Sequence, residues 1–190
     1  MTLFHLSHLK ILIWKLCIQQ NWSDLPLLMN VDQNTSNIVQ KGNSRLWFLR
    51  RLKSLGESKE TLKDIYKLFC RSKLDLGAPV WAGSLTARNK ADIERVQRNA
   101  LRIISGSPSA RYEELLKTLE LDNLDSRREQ ICLKFARECL KSKKFSSWFS
   151  KGLKTRSGVQ YYPETETKTK RYGNSPIPYL TRLLNIHAHT

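Results

Sequence analysis

The 190-residue sequence predicts an all-α fold: about five helices between residues 36 and 149, then a basic, proline-containing extended tail. Three observations carry that prediction. Apolar residues recur at helical spacing in five segments. Ser, Thr or Gly punctuates the ends of several of these segments, and no stretch keeps up strand-type alternation.

Residues 1–20 are helical by composition, with Leu6, Leu9, Ile13 and Leu16 at helical spacing and more apolar residues on the other faces. The apolar run at 11–18 is interrupted by Lys15 and is too short to span a bilayer, so neither a signal peptide nor a transmembrane helix is expected. His5 and His8 sit three apart without companion ligands, which makes them surface or packing histidines. Residues 21–35, with Trp22 and Pro26, read as a turn-rich connector. A helix follows over 36–55: Ile38, Phe48, Leu49, Leu52 and Leu55 share a face, and Gly56 closes it. Lys41, Arg45, Arg50, Arg51 and Lys53 charge that helix, and no acid occurs within it. Ser58 caps the next helix, with Glu57 and Glu60 suited to its positive end. There Leu62, Ile65, Tyr66, Phe69, Cys70 and Leu74 have core spacing.

Segment 76–106 joins a Gly/Pro-marked turn holding Trp81 to the best-patterned helix of the chain. Thr86 suits its N-cap and Gly106 its C-terminal stop. At about 100° per residue, Ile93, Val96, Ala100, Ile103 and Ile104 fall in one arc, with Arg88, Arg95, Arg98 and Arg102 nearly opposite. Such a helix must rest on a core while meeting something anionic. After a Ser-Pro-Ser loop, Tyr112, Leu115, Leu116 and Leu119 mark a short helix. Residues 124–140 form another, with Leu124, Ile131, Phe135 and Cys139 on one side. Arg127, Lys134 and Lys141 repeat every seven residues on a neighbouring side. Arg128 projects into the apolar arc and needs an acid or a helix C-terminus as partner. Residues 145–149 (FSSWF) add an aromatic pad. From residue 150 the periodicity stops; 164–170 (ETETKTK) is low in complexity, and Pro176 and Pro178 favour an extended run.

The charge is lopsided: 33 Lys+Arg against 17 Asp+Glu, a net +16. That excess implies a polyanionic partner, nucleic acid first and an acidic membrane surface second. The four cysteines, Cys17, Cys70, Cys132 and Cys139, have neither CxxC nor Cys/His knuckle spacing, so they read as reduced, buried small hydrophobes rather than zinc ligands. The seven aspartates include no adjacent pair, whereas two-metal nucleotidyl transfer needs convergent carboxylates. No GxxxxGK[ST], GxSxG or HExxH occurs, and His187 and His189 lie at the extreme end. No catalytic residue, metal, cofactor or small-molecule substrate is therefore expected.

Five ordered segments carry a family resemblance: NSRLWFLRRLK (43–53), IYKLFCRSKLDLGAPVWAGSL (65–85), IERVQRNALRIISG (93–106), LDSRREQICLKFARECLK (124–141) and RYGNSPIPYLTRLLN (171–185). Together they resemble the C-terminal part, thumb and beyond, of the reverse transcriptase protein of jockey-like non-LTR (LINE-type) retrotransposons. The resemblance covers roughly 36–185. Residues 21–41 match only faintly, at Trp22, Ser23 and Lys41, and 1–20 do not match. The palm's Tyr/Phe-x-Asp-Asp motif and any endonuclease are absent, as in a truncated element copy. The resemblance, with the end of the periodicity at residue 150, divides the chain into an unmatched segment and connector (1–35), a helical thumb-like domain (36–149) and a basic tail (150–190) expected to be disordered alone.

It implies a non-catalytic part of an RNA-directed DNA polymerase that holds RNA or an RNA–DNA hybrid by its backbone, beside the palm of an intact polymerase if one is present in trans. The residues expected to do so are Arg45, Arg50, Arg51, Lys53, Arg88, Arg95, Arg98, Arg102, Arg127, Lys134, Lys168, Lys170 and Arg171. Arginine faces grip phosphates without reading sequence. Trp81, in its turn, reads as core rather than as a base-stacking surface. The expected location is intracellular, nuclear or cytoplasmic, with no membrane partner. Three rivals stand beside this reading: a relic without function, a basic amphipathic binder of membrane surfaces through residues 1–20, and an enzyme in its own right, which primer extension with Mg²⁺ would reveal and which is not expected.

Overall fold

Helix α1 (Val31–Ser54) lies beside α4 (Ala87–Ser105), and the two run parallel. Asn89 Nδ2 donates to Asp32 Oδ1 at 2.9 Å near their N-termini, and Lys53 Nζ donates to the Ile103 carbonyl near their C-termini. Midway, Gly42 lets the backbones close up: a Cβ there would meet Val96 Cγ1 at 2.9 Å and Leu74 Cδ2 at 3.0 Å. The computed structural model describes residues 30–188 except 151, 155, 157–159 and 165. The sequence readings at 1–20, His5, His8, Cys17 and His189 lie outside those residues.

Of the connector expected over 21–35, residues 21–29, with Trp22 and Pro26, lie outside the described residues, and 31–35 are already helix, so a boundary at residue 36 falls inside α1. Asn30 accepts from Gln33 N as the N-cap, and Asp32 sits in the first turn. The Asp/Asn-rich run that resembles a turn is thus a helix start, where those side chains satisfy free backbone N–H groups.

Helix α2 (Lys59–Ile65), capped by Ser58, continues through a π-helical stretch (Tyr66–Arg71) into a last α turn (Ser72–Leu74). Its buried residues, Leu62, Tyr66, Cys70 and Leu74, recur every four positions. An α-helix would rotate such a row steadily off the core, and the wider i→i+5 turn holds it there. Phe69, expected in the core, is instead partly exposed, edge-on to Phe48 at 5.6 Å.

Short helix α3 (Ala78–Trp81) follows Gly77, whose φ of +69° favours glycine. Trp81 is 1% exposed and its Nε1 donates to the Leu76 carbonyl at 3.0 Å, so it is a core residue. Helix α4 starts at the Thr86 cap and stops at left-handed Gly106, the two residues named from sequence. It is the central element, touching α1, α2, α5 (Tyr112–Leu119) and α6 (Leu124–Lys141). On α6 the buried row is Leu124, Arg128, Cys132, Ala136 and Cys139, while Ile131 and Phe135 are half-buried at its margin.

The tail departs from the expected extended run. A two-residue hairpin, β1 (Leu153–Lys154) with β2 (Gln160–Tyr161), leads to the short α7 (Lys170–Gly173) and to α8 (Pro176–Ile186). Both prolines occupy the first turn of α8, where a missing N–H costs nothing. Leu180, Leu183 and Leu184 bury against α6 and α3. Asn185 ties the hairpin's exit down through Tyr162 N at 2.9 Å and Tyr162 O at 2.8 Å. The chain is all-α in class: among the described residues five principal helices carry the bundle up to residue 149, and α8 joins it.

Candidate nucleic-acid interface

Helical winding decides which side of the α1–α4 pair is open. On α4, Val96 points at α1. Gln97 meets α2 through the Tyr66 hydroxyl, while Glu94 and Arg98 meet Tyr112 of α5. At about 100° per residue, Arg88, Arg95 and Arg102 then fall on the remaining side, one heptad or about 10 Å apart. On α1, Gly42 faces α4 and Arg45 faces Phe69 of α2, which puts Arg50 on that same open side and Trp47 at its edge. Arg50, Arg88 and Arg95 are exposed and Arg102 is half-buried. The acid on this side is Asp92, paired with Arg95 at 3.0 Å, and α1 has no acid after Asp32. The field there is positive along about 21 Å of helix.

Not every expected arginine is available. Arg45 donates to the Phe69 carbonyl, its guanidinium 4.3 Å from that ring. Lys53 caps the carbonyl end of α4, a favourable place for a cation. Arg127 is locked to Asp75 at 2.6 Å. Arg98 lies over the Tyr112 ring at 5.2 Å, between the open side and the α5 contact. These four brace helices, which sequence spacing could not reveal, because the braces join residues 14 to 52 positions apart. Arg51 is exposed but turned away from α4, and Lys134 is exposed on α6. Lys168, Lys170 and Arg171 are exposed in and before α7, on a different part of the chain.

A polar chain beneath the surface fixes α4 in place. Tyr66 donates to Gln97 Oε1. Gln97 Nε2 donates to Tyr112 Oη and to the Asp122 carbonyl, each at 2.8 Å. Tyr112 donates to Glu94, whose carboxylate also accepts from Leu124 N at 3.1 Å, at the start of α6. Burial first, then the Glu94 hydrogen bond, push the Tyr112 hydroxyl far above its usual range, so it stays a donor. Arg128 is 1% exposed and finds the required acid in Asp125 at 3.3 Å, with Trp81 6.0 Å away. His187 is positioned after all: its Nε2 lies 3.2 Å from Glu129 Oε1.

Burial pushes the thiols of Cys70 and Cys139 up to about 11 and that of Cys132 to about 12, and all three are free and buried. Among the described residues no group of three His, Cys, Asp or Glu side chains could hold a metal ion. No helix among them is long and apolar enough to cross a membrane. Comparison with protein-family models, with curated proteins and with solved structures gives no match to the chain.

Proposed function

We propose that the chain is the non-catalytic, thumb-like C-terminal part of a non-LTR retrotransposon RNA-directed DNA polymerase, and that it binds an RNA or RNA–DNA hybrid backbone through the open side of α1 and α4. The observation that carries the reading is the row Arg88, Arg95, Arg102 on α4, joined by Arg50 of α1. Guanidinium groups at heptad spacing on one side of a well-braced helix can follow a phosphate backbone and take no sequence information from it. The ordered resemblance of five segments supports the family, and the +16 charge supports a polyanionic partner. In this reading the role is played inside cells, in nucleus or cytoplasm, next to a palm that supplies the metal-binding aspartates.

Titrating the full chain against a labelled RNA–DNA hybrid over a salt series tests the reading. With about four phosphates neutralised, log affinity should fall against log salt with a slope of about −3.5. A slope near zero, or no binding by the folded chain at low salt, would remove the proposal. Primer extension with Mg²⁺ should show no incorporation by the chain alone.

A further inference from the structure

Trp47 has no structural task among the described residues. It is 66% exposed on a helix whose inward face is already filled by Leu46 and Leu49, both buried. The other aromatics nearby are engaged: Phe48 and Phe69 stack edge-on, with the Arg45 guanidinium against the Phe69 ring. Elsewhere, Trp81 is core and Trp148 leans on Phe145 at 4.8 Å. Arg50 and Arg51 follow Trp47 at i+3 and i+4, so one helical turn presents an indole and two exposed guanidiniums as neighbours. Their neighbours Arg45 and Lys53 are committed inward, and no acid stands between Gln33 and Gly56 to draw Arg50 and Arg51 away.

From this turn we infer a stacking site for an unpaired nucleic-acid base: Trp47 is the platform, and Arg50 and Arg51 hold the phosphates on either side. This inference rests on the nucleic-acid reading above and adds the class of ligand. Bases inside a duplex have both faces covered, so an indole on a convex helix can stack only on a base that has left the duplex. Arg50 belongs both to this turn and to the open side of α1 and α4. A duplex gripped by the α4 row would therefore deliver its single-stranded continuation to Trp47. Stacking suits all four bases, and no base preference follows from it.

The test compares a blunt RNA–DNA hybrid with the same hybrid carrying a five-nucleotide single-stranded overhang, using the full chain, Trp47→Ala and Trp47→Phe. Trp47→Ala should weaken binding of the overhang probe about tenfold and leave the blunt probe unchanged. Trp47→Phe should restore most of the loss. Equal affinities of wild type and Trp47→Ala for the overhang probe, or an equal loss on both probes, would overturn the stacking site while leaving phosphate binding intact. No binding of either probe by the wild type would defeat the nucleic-acid reading itself. Thermal melting of each variant, expected to match the wild type because Trp47 packs against none of the described core, accompanies the titrations. A lowered melting temperature would count against the site, by showing that Trp47 has a packing role.

Discussion

Gln97 shows how much of this fold hangs on single polar groups. Its amide accepts from Tyr66 and donates to Tyr112 and to the Asp122 carbonyl. Gln97→Leu keeps the volume but strands these partners in the core, and should cost about 2 kcal/mol, read as a lower urea midpoint. Asp125 adds a pH dependence. Burial alone would raise its carboxyl, but the Lys90 ammonium at 2.9 Å and the Arg128 guanidinium outweigh that and hold it below the usual carboxylate range. A depressed folded-state value means stabilisation that is present above the unfolded value and lost as pH falls through the folded one. Wild type should therefore lose more stability than Asp125→Asn between about pH 5 and pH 2, in urea unfolding at each pH. At this scale the sequence was partly legible. That Arg128 would need an acid followed from its place in the apolar arc. That Arg45, Lys53 and Arg127 brace helices did not, since which side of a helix meets a neighbour is set by tertiary packing that the pattern within one segment does not show.

Among the elements, α4 was read to the residue because its two ends carry unambiguous chemistry, a threonine cap and a left-handed glycine. The sequence pattern places the start of α1 too late and hides α8, for one reason: Asn, Asp and Pro are turn residues in isolation and first-turn residues when a helix follows. Closeness also escapes local pattern, since Gly42 looks like a weak point in α1 and is the contact with α4. Gly42→Val should lower stability by about 2 kcal/mol through overpacking against Val96 and Leu74, whereas Gly42→Ala should cost less because alanine's higher helix propensity offsets part of the clash. Docking of α8 rests on Leu180, which is buried against the α6–α3 surface. Leu180→Ala should cost about 3 kcal/mol and, in hydrogen exchange, release α8 amides before those of α4.

Over the whole molecule, two kinds of basic residue divide the labour. Arg45, Lys53, Arg98, Arg127 and Arg128 are spent on internal contacts, whereas Arg50, Arg88 and Arg95 are exposed, with Arg102 half-buried in the same row. The proposed function depends on place, not on total charge, so the most direct measurement compares two variants of equal net charge. One carries Arg88, Arg95 and Arg102→Gln; the other carries Lys134, Lys141 and Lys143→Gln, all exposed on α6 or just after it. Both are titrated against the same RNA–DNA hybrid over the same salt series. The α4 variant should flatten the slope of log affinity against log salt by about 3 and lose far more affinity than the α6 variant. Equal losses from the two variants would contradict the account, because charge alone, and no built interface, would then explain the binding.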